Sequence, residues 1–243
     1  MTAAHPELGG DHHVHSVFSD DASSTPEENL ATAQHRGLTC LRMVEHVRTT
    51  SAWVPQFVAA VSRLHPPEDV TVLTGVEAKL LDTQGRLDLP PGALGVDAVL
   101  IADHQFPGPD GPWTPDQARA RLADGLPVAD ALEMLVEAYV AATEAAASRF
   151  RTVQYAHAFS LLPKIGLRES DLTDAQVSRW AVAAAHAGAL VEVNEKWGCP
   201  GPRTLRAAEQ AGARLVAGTD SHAATDVGRY RRVPELLDEA RAS

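Results

Sequence analysis

Gly37-Leu38-Thr39-Cys40-Leu41-Arg42-Met43-Val44-Glu45-His46 is the stretch on which the fold turns. A β-prone, mostly apolar run from Leu38 to Val44 ends in a carboxylate and an imidazole. Upstream, Thr25-Pro26-Glu27-Glu28 places a hydroxyl at an N-cap, proline at the first helical position and acids in the first turn. Pro26 to Arg36 therefore reads as a helix, which Gly37 stops. The same punctuation recurs along the chain. β-prone runs lie at Val70 to Val76, Ala98 to Ala102, Thr152 to Ala156, Leu190 to Val193 and Arg214 to Ala217, and a shorter extended segment passes through His12 to His15. Helical stretches lie at Val54 to Leu64, Ala129 to Ser148, Asp174 to His186 and Pro202 to Gln210. Alternating strands and helices imply an α/β protein with a parallel sheet, open or closed into a barrel. The count is seven strands, one short of the familiar eight-stranded barrel. A length of 243 residues suits a single domain spanning 1–243.

One segment breaks the rhythm. Gln105 to Val128 carries Pro107, Gly108, Pro109, Gly111, Pro112, Pro115 and Pro127. It reads as a loop insertion at about 105–128, either a plain surface loop or a lid with Trp113 as its substrate contact.

Composition narrows the partners. With 21 Lys+Arg against 32 Asp+Glu the formal net charge is −11. Such a surface repels polyanions, which argues against nonspecific nucleic-acid binding and leaves a small metal-attracted anion as the natural ligand. No apolar run approaches the roughly 18 residues of a membrane-spanning helix, and Met1 to Gly10 lacks the pattern of a secretory signal. Cys40 and Cys199, in unrelated contexts, read as reduced thiols of a cytoplasmic protein. Oligomeric state is not legible.

The eleven histidines sort by position. His13 and His15 alternate on one extended segment and share a face. His46, Glu77, His104 and His157 each follow the end of a β-prone run, and Asp220 and His222 follow the last one. Strand carboxyl ends are where parallel α/β proteins build their sites. Imidazoles suit Zn, Fe and Mn, carboxylates bridge adjacent ions, and so many ligands imply two or three divalent metals. His5, His12, His35, His65 and His186 read as surface or structural residues. Glu45, Asp103 and Glu192 are candidates to orient the ligating imidazoles. Lys196, Arg203 and Arg229, just past run ends, are candidate substrate-binding cations; Arg42 needs a partner if buried, and Trp53 and Trp197 are candidate pocket walls.

These motifs resemble those of the polymerase and histidinol phosphatase (PHP) family. Asp11-His12-His13-Val14-His15-Ser16 with Phe18-Ser19-Asp20 resembles its opening motif, Val44-Glu45-His46 its second, Gly75-Val76-Glu77 its third and Gly218-Thr219-Asp220-Ser221-His222 its last. The resemblance implies a distorted (β/α)7 barrel with a trinuclear metal centre and phosphoesterase activity. It would give His13, His15, Glu77 and Asp220 to one metal, with Glu77 bridging to a second held by His104 and His157. Asp20, His46 and His222 would hold the third. Asp21 departs from the family's glycine, His12 from its apolar residue and Glu45 from its aspartate.

The reaction so implied is hydrolysis of a small phosphate monoester by a hydroxide bridging two metals, with Asp220 or His222 protonating the leaving group. Three alternatives share the ligands: an amidohydrolase-like enzyme cleaving C–N or C–O bonds, a phosphodiesterase acting on short or cyclic diesters, and a non-catalytic barrel.

Overall fold

The computed structural model describes residues 5–242. Seven parallel strands form one sheet: β1 (Gly10–Val14), β2 (Cys40–His46), β3 (Thr71–Lys79), β4 (Ala98–Ala102), β7 (Thr152–Tyr155), β8 (Leu190–Asn194) and β9 (Arg214–Gly218), in that spatial order. Its ends approach each other where Val14 bridges Ser221 and the His15 amide donates to the Ser221 carbonyl at 2.9 Å. The sheet is thus a nearly closed barrel. Helices α1 (Pro26–His35), α2 (Val54–Ser62), α4 (Val128–Ala147), α5 (Asp174–His186), α6 (Pro202–Ala211) and α7 (Arg232–Arg241) complete the strand–helix alternation. No helix among the described residues is long and apolar enough to cross a membrane.

Local chemistry explains the boundaries. Thr25 and Thr173 cap α1 and α5 through reciprocal bonds with Glu28 and Gln176. Gly212, at φ 92°, ends α6 in the left-handed conformation a side chain resists. The outer core is apolar and aromatic: Trp180 of α5 packs between Tyr139 of α4, Tyr155 of β7 and Phe159, with ring centroids 5.1–6.4 Å apart. The inner face is different. Strand alternation puts Arg42, Val44 and His46 on one side, and small residues such as Ala98, Ala102 and Ala156 leave room between the strands. The Arg42 guanidinium fills the floor of that space, donating to the Gln154 side-chain oxygen.

The proline-rich insertion is not a loop. Phe106–Gly108 (β5) and Gly111–Trp113 (β6) form an antiparallel hairpin, and Pro115–Ala123 is a helix, α3. An isolated two-stranded hairpin tolerates Pro107 and Pro112 because its outward amides need no partner. Thr114-Pro115-Asp116-Gln117 caps α3 by the same signal as Thr25 to Glu28. Trp113 is spent within this unit: it stacks on Phe106 at 5.2 Å, lies under the Arg121 guanidinium at 4.1 Å and fills the space beside Gly108. The ring expected to meet substrate thus has its packing contacts within the insertion.

Because Trp180 is fully buried between two layers, Trp180→Ala is expected to lower unfolding free energy by about 3–5 kcal/mol in a urea titration. A loss under about 1 kcal/mol would contradict the packing described.

Candidate metal centre

The site stands at the carboxyl ends of the strands, around one carboxylate. Glu77 is 2% exposed, and β3 pairs it in register with His46 of β2. Its Oε1 is 2.9 Å from His157 Nε2 and 3.1 Å from His104 Nε2. Its Oε2 is 2.8 Å from His46 Nδ1, 3.4 Å from His13 Nε2 and 3.6 Å from His15 Nε2. The sequence separations reach 80 residues, so only barrel closure brings these groups together.

Asp220 and His222 complete the ring from beyond β9. Asp220 Oδ1 is 3.2 Å from His15 Nε2, and its Oδ2 accepts from Trp197 Nε1 at 2.8 Å. His222 stands 4.4 Å from His15, ring to ring. Two of these residues sit in unusual backbone: Asp220 has φ 52° and His157 φ 29°, a region L-residues avoid. Such strain persists only where surrounding contacts enforce it.

Behind the ligands lies a set of carboxylates that fixes the tautomers. His13 Nδ1 donates to Glu192 at 2.9 Å, and Glu192 also accepts from Asn194 and Gln154. His15 Nδ1 donates to Ser19 Oγ, which donates to Glu45 at 2.6 Å. His157 Nδ1 donates to Ser160 Oγ, which donates to Asp103 at 2.9 Å. In all three imidazoles Nε2 is thereby the atom that faces the centre. Glu45, Asp103 and Glu192 therefore stand where an orienting group must. Gly218 has the same purpose in reverse: a Cβ there would lie 2.5 Å from Glu192 Oε1.

Burial opposes charge on Glu77, but the imidazoles of His104, His13 and His46 outweigh it and hold the carboxyl well below its usual range. Burial likewise works against ionised Asp220, and His15 and His13 again overcome it. His15 itself is pushed down to about 3 by burial, so it stays neutral and able to ligate. Glu45, buried beyond the ring, is pushed up to about 7.

The donor set fits metal ions. His13 Nε2 and His15 Nε2 point at each other 3.1 Å apart, and His104 Nε2 and His157 Nε2 do so at 3.3 Å. Opposed lone pairs repel unless a cation or proton lies between them. Glu77 Oε2, fully shielded, has no hydrogen-bond partner of acceptable geometry despite three nearby imidazoles. Three groups have ligand atoms mutually within 4.8 Å: His13–His15–Glu77, His46–Glu77–His104 and His15–His46–His222.

Several expected residues stand elsewhere. Asp20 is turned out, with its side chain 75% exposed and 3.6 Å from Arg48. Its neighbour Asp21 faces the site instead, with Oδ2 3.2 Å from His222 Nε2 and 3.5 Å from His46 Nε2. The turn between Ser19 and Ser23 reverses the chain, so adjacent acids point in opposite directions. Arg203 is outside the site altogether, pinning α6 to α5 through Asp174 and the Leu172 carbonyl. Lys196 is at the rim, 3.4 Å from Asp220 and 3.3 Å from His222. Arg229 lies further out, in an adjoining depression. Trp197 does more than wall the pocket, since its indole N–H holds Asp220.

Residues 11–242 match the model of the PHP domain, and the chain belongs to the PHP family. It is 23% identical over 241 residues to a "probable phosphatase" of Thermoanaerobacter sp. strain X514, covering 95% of this chain and 85% of that one. A "probable phosphatase" of Vibrio vulnificus strain YJ016 is 36% identical over 96 residues, 39% of this chain and 37% of that one. Among solved structures, the histidinol phosphate phosphatase of Lactococcus lactis subsp. lactis Il1403, complexed with zinc, L-histidinol and phosphate, has the same fold. Its TM-score is 0.63 at 16% identity, covering 96% of this chain and 92% of that one.

The two neighbouring acids can be told apart by metal content. Asp21→Asn is expected to lower bound metal per chain by plasma mass spectrometry, whereas Asp20→Asn leaves it at the wild-type value; the opposite pattern would return the ligand to Asp20. Gly218→Ala is expected to weaken metal binding on the order of 10–100-fold by displacing Glu192 from His13. Unchanged affinity in a competition titration would remove Glu192 from the support of the centre.

Proposed function

We propose that this chain is a metal-dependent phosphatase that hydrolyses a small phosphate monoester. The observation that carries this reading is the convergence of five imidazoles on the buried Glu77 carboxylate, with three of them oriented from behind. Membership of the PHP family and likeness to "probable phosphatases" support it.

His13, His15, Glu77 and Asp220 would hold one divalent ion, and Glu77 with His104 and His157 a second. His46, His222 and Asp21 would hold a third. Zinc, manganese and iron all suit such mixed nitrogen and oxygen donors, and the Lactococcus structure contains zinc. When bound, such ions bring the ionisation of a water toward neutrality and draw charge from nonbridging phosphate oxygens.

The protein's own contribution is positioning and charge. Glu192, Glu45 and Asp103 keep the imidazole lone pairs aimed at the centre. Lys196, at the open rim, is placed to meet an outer phosphate oxygen. Asp220 is kept ionised by His15 and His13, which suits a ligand and not a proton donor. His222 stands at the mouth, its Nδ1 2.9 Å from the Asp220 carbonyl oxygen and its Nε2 3.2 Å from Asp21. Lys164, stacked 4.0 Å over Trp197, stiffens the wall beside it.

A phosphate-release screen over metabolite monoesters, histidinol phosphate included, with protein loaded separately with Mn, Fe and Zn, is expected to give turnover. His13→Ala and Glu77→Ala should each reduce it by on the order of a hundredfold or more. Hydrolysis of amides or lactones without phosphate release would favour the amidohydrolase-like reading, and preference for diesters would move the substrate to that class.

A further inference from the structure

A depression of about 660 Å³ opens beside the metal centre and shares Lys196, Asp220 and His222 with the cleft over the ligands. Around it stand four cations, Lys196, Arg229, Arg231 and Arg232, out of 21 in a chain whose net charge is −11. Three carboxylates also line it, but their charges are committed. Glu195 Oε2 accepts from the amides of Arg231, Arg232 and Val233 at 2.8–3.1 Å, capping α7. Asp220 Oδ2 accepts from Trp197 Nε1 at 2.8 Å. Asp226 pairs with Arg229 at 3.9 Å, and Asp220 with Lys196 at 3.4 Å, so two of the four cations are balanced within the depression.

The other two cations, Arg231 and Arg232, are less committed. Among the described residues, the exposed Arg231 side chain has no hydrogen-bond or ion-pair partner; only its backbone is used. Arg232 donates through Nη1 to the Lys196 carbonyl at 3.0 Å, which leaves its other N–H groups spare. Clustered cations repel one another, and among the described residues Arg231 has no side-chain partner to offset that repulsion. Guanidinium forks match carboxylate and phosphate oxygens.

We propose that the substrate carries, besides the phosphate to be removed, a second anionic group that seats in this depression against Arg231, with Arg229 and Arg232 beside it. The inference rests on the phosphatase reading and adds the substrate class: a phosphate ester with a distal carboxylate or second phosphate. A substrate with a cationic group at that end is disfavoured.

Two matched pairs test it on metal-loaded protein: 6-phosphogluconate against glucose 6-phosphate, and fructose 1,6-bisphosphate against fructose 6-phosphate. The doubly anionic member of at least one pair is expected to have kcat/KM about tenfold higher, and Arg231→Glu to abolish that preference. The carboxylate and phosphate pairs separate the two forms of the second anion. Phosphate release at equal rates within each pair overturns the inference and leaves the phosphatase reading standing. If no ester releases phosphate, the phosphatase reading fails instead. Calorimetric binding of the same pairs to wild type and Arg231→Glu then decides: tighter binding of the doubly anionic member, lost in the variant, supports the depression as an anion seat, and equal binding overturns it. Among the described residues the exposed Arg231 side chain makes no hydrogen bond or ion pair, so the variant is expected to fold normally.

Discussion

Everything at the mouth of the barrel depends on how the protein tolerates one buried carboxylate ringed by imidazole lone pairs. Glu77 alone would be costly to ionise at 2% exposure, and the neighbouring nitrogens alone would repel. Together they form a cage whose members attract cations, or protons, more strongly than they attract each other. In the metal-free protein, imidazolium charge on His13 and His46 balances Glu77; burial opposes that charge, but the carboxylates beside them raise both groups. Divalent ions can replace those protons, so metal affinity is expected to be tied to pH through proton release.

The support for this cage is distributed over the barrel. β1 supplies His13, and β8 supplies the Glu192 that orients it; the loop after β1 supplies Ser19, and β2 the Glu45 it bonds. Below them, Arg42, Gln154 and Glu192 link the polar floor of the barrel to the first ligand. The left-handed backbone at Asp220 and His157 costs on the order of 1–3 kcal/mol at each residue, a cost that near-closure of the sheet sustains. Rigidity of the whole barrel is thus what keeps the candidate ligands from six strands and their loops, and the supporting Glu192 of the seventh, in register.

Strand ends were legible because four of the apolar runs stop abruptly at a titratable residue: Glu45, Glu77, Asp103 and His157. β4 and α5 have the very bounds their sequence suggests, and His13, His15, His46, Glu77, His104, His157, Asp220 and His222 converge from positions that strand ends alone point to. What escaped were features set by distant or irregular contacts. In the turn at Asp20 and Asp21 no periodicity tells which acid faces inward. α7 has no local capping residue, because its cap is Glu195, 36–38 residues earlier. Arg203 follows a strand end like a substrate-binding cation, but its partners come from the α5 start across a helix interface. In the insertion, proline counted as loop, yet the capping pattern at Thr114 to Gln117 carried the signal for α3.

Anomalous diffraction from crystals of the metal-loaded protein, collected at the absorption edge of each metal, tests the cage most directly. The account predicts two or three peaks, each within about 2.0–2.3 Å of imidazole nitrogen or carboxylate oxygen, with Glu77 shared between two of them. Peaks absent from the vicinity of Glu77, or a lone peak held by surface residues, would contradict it.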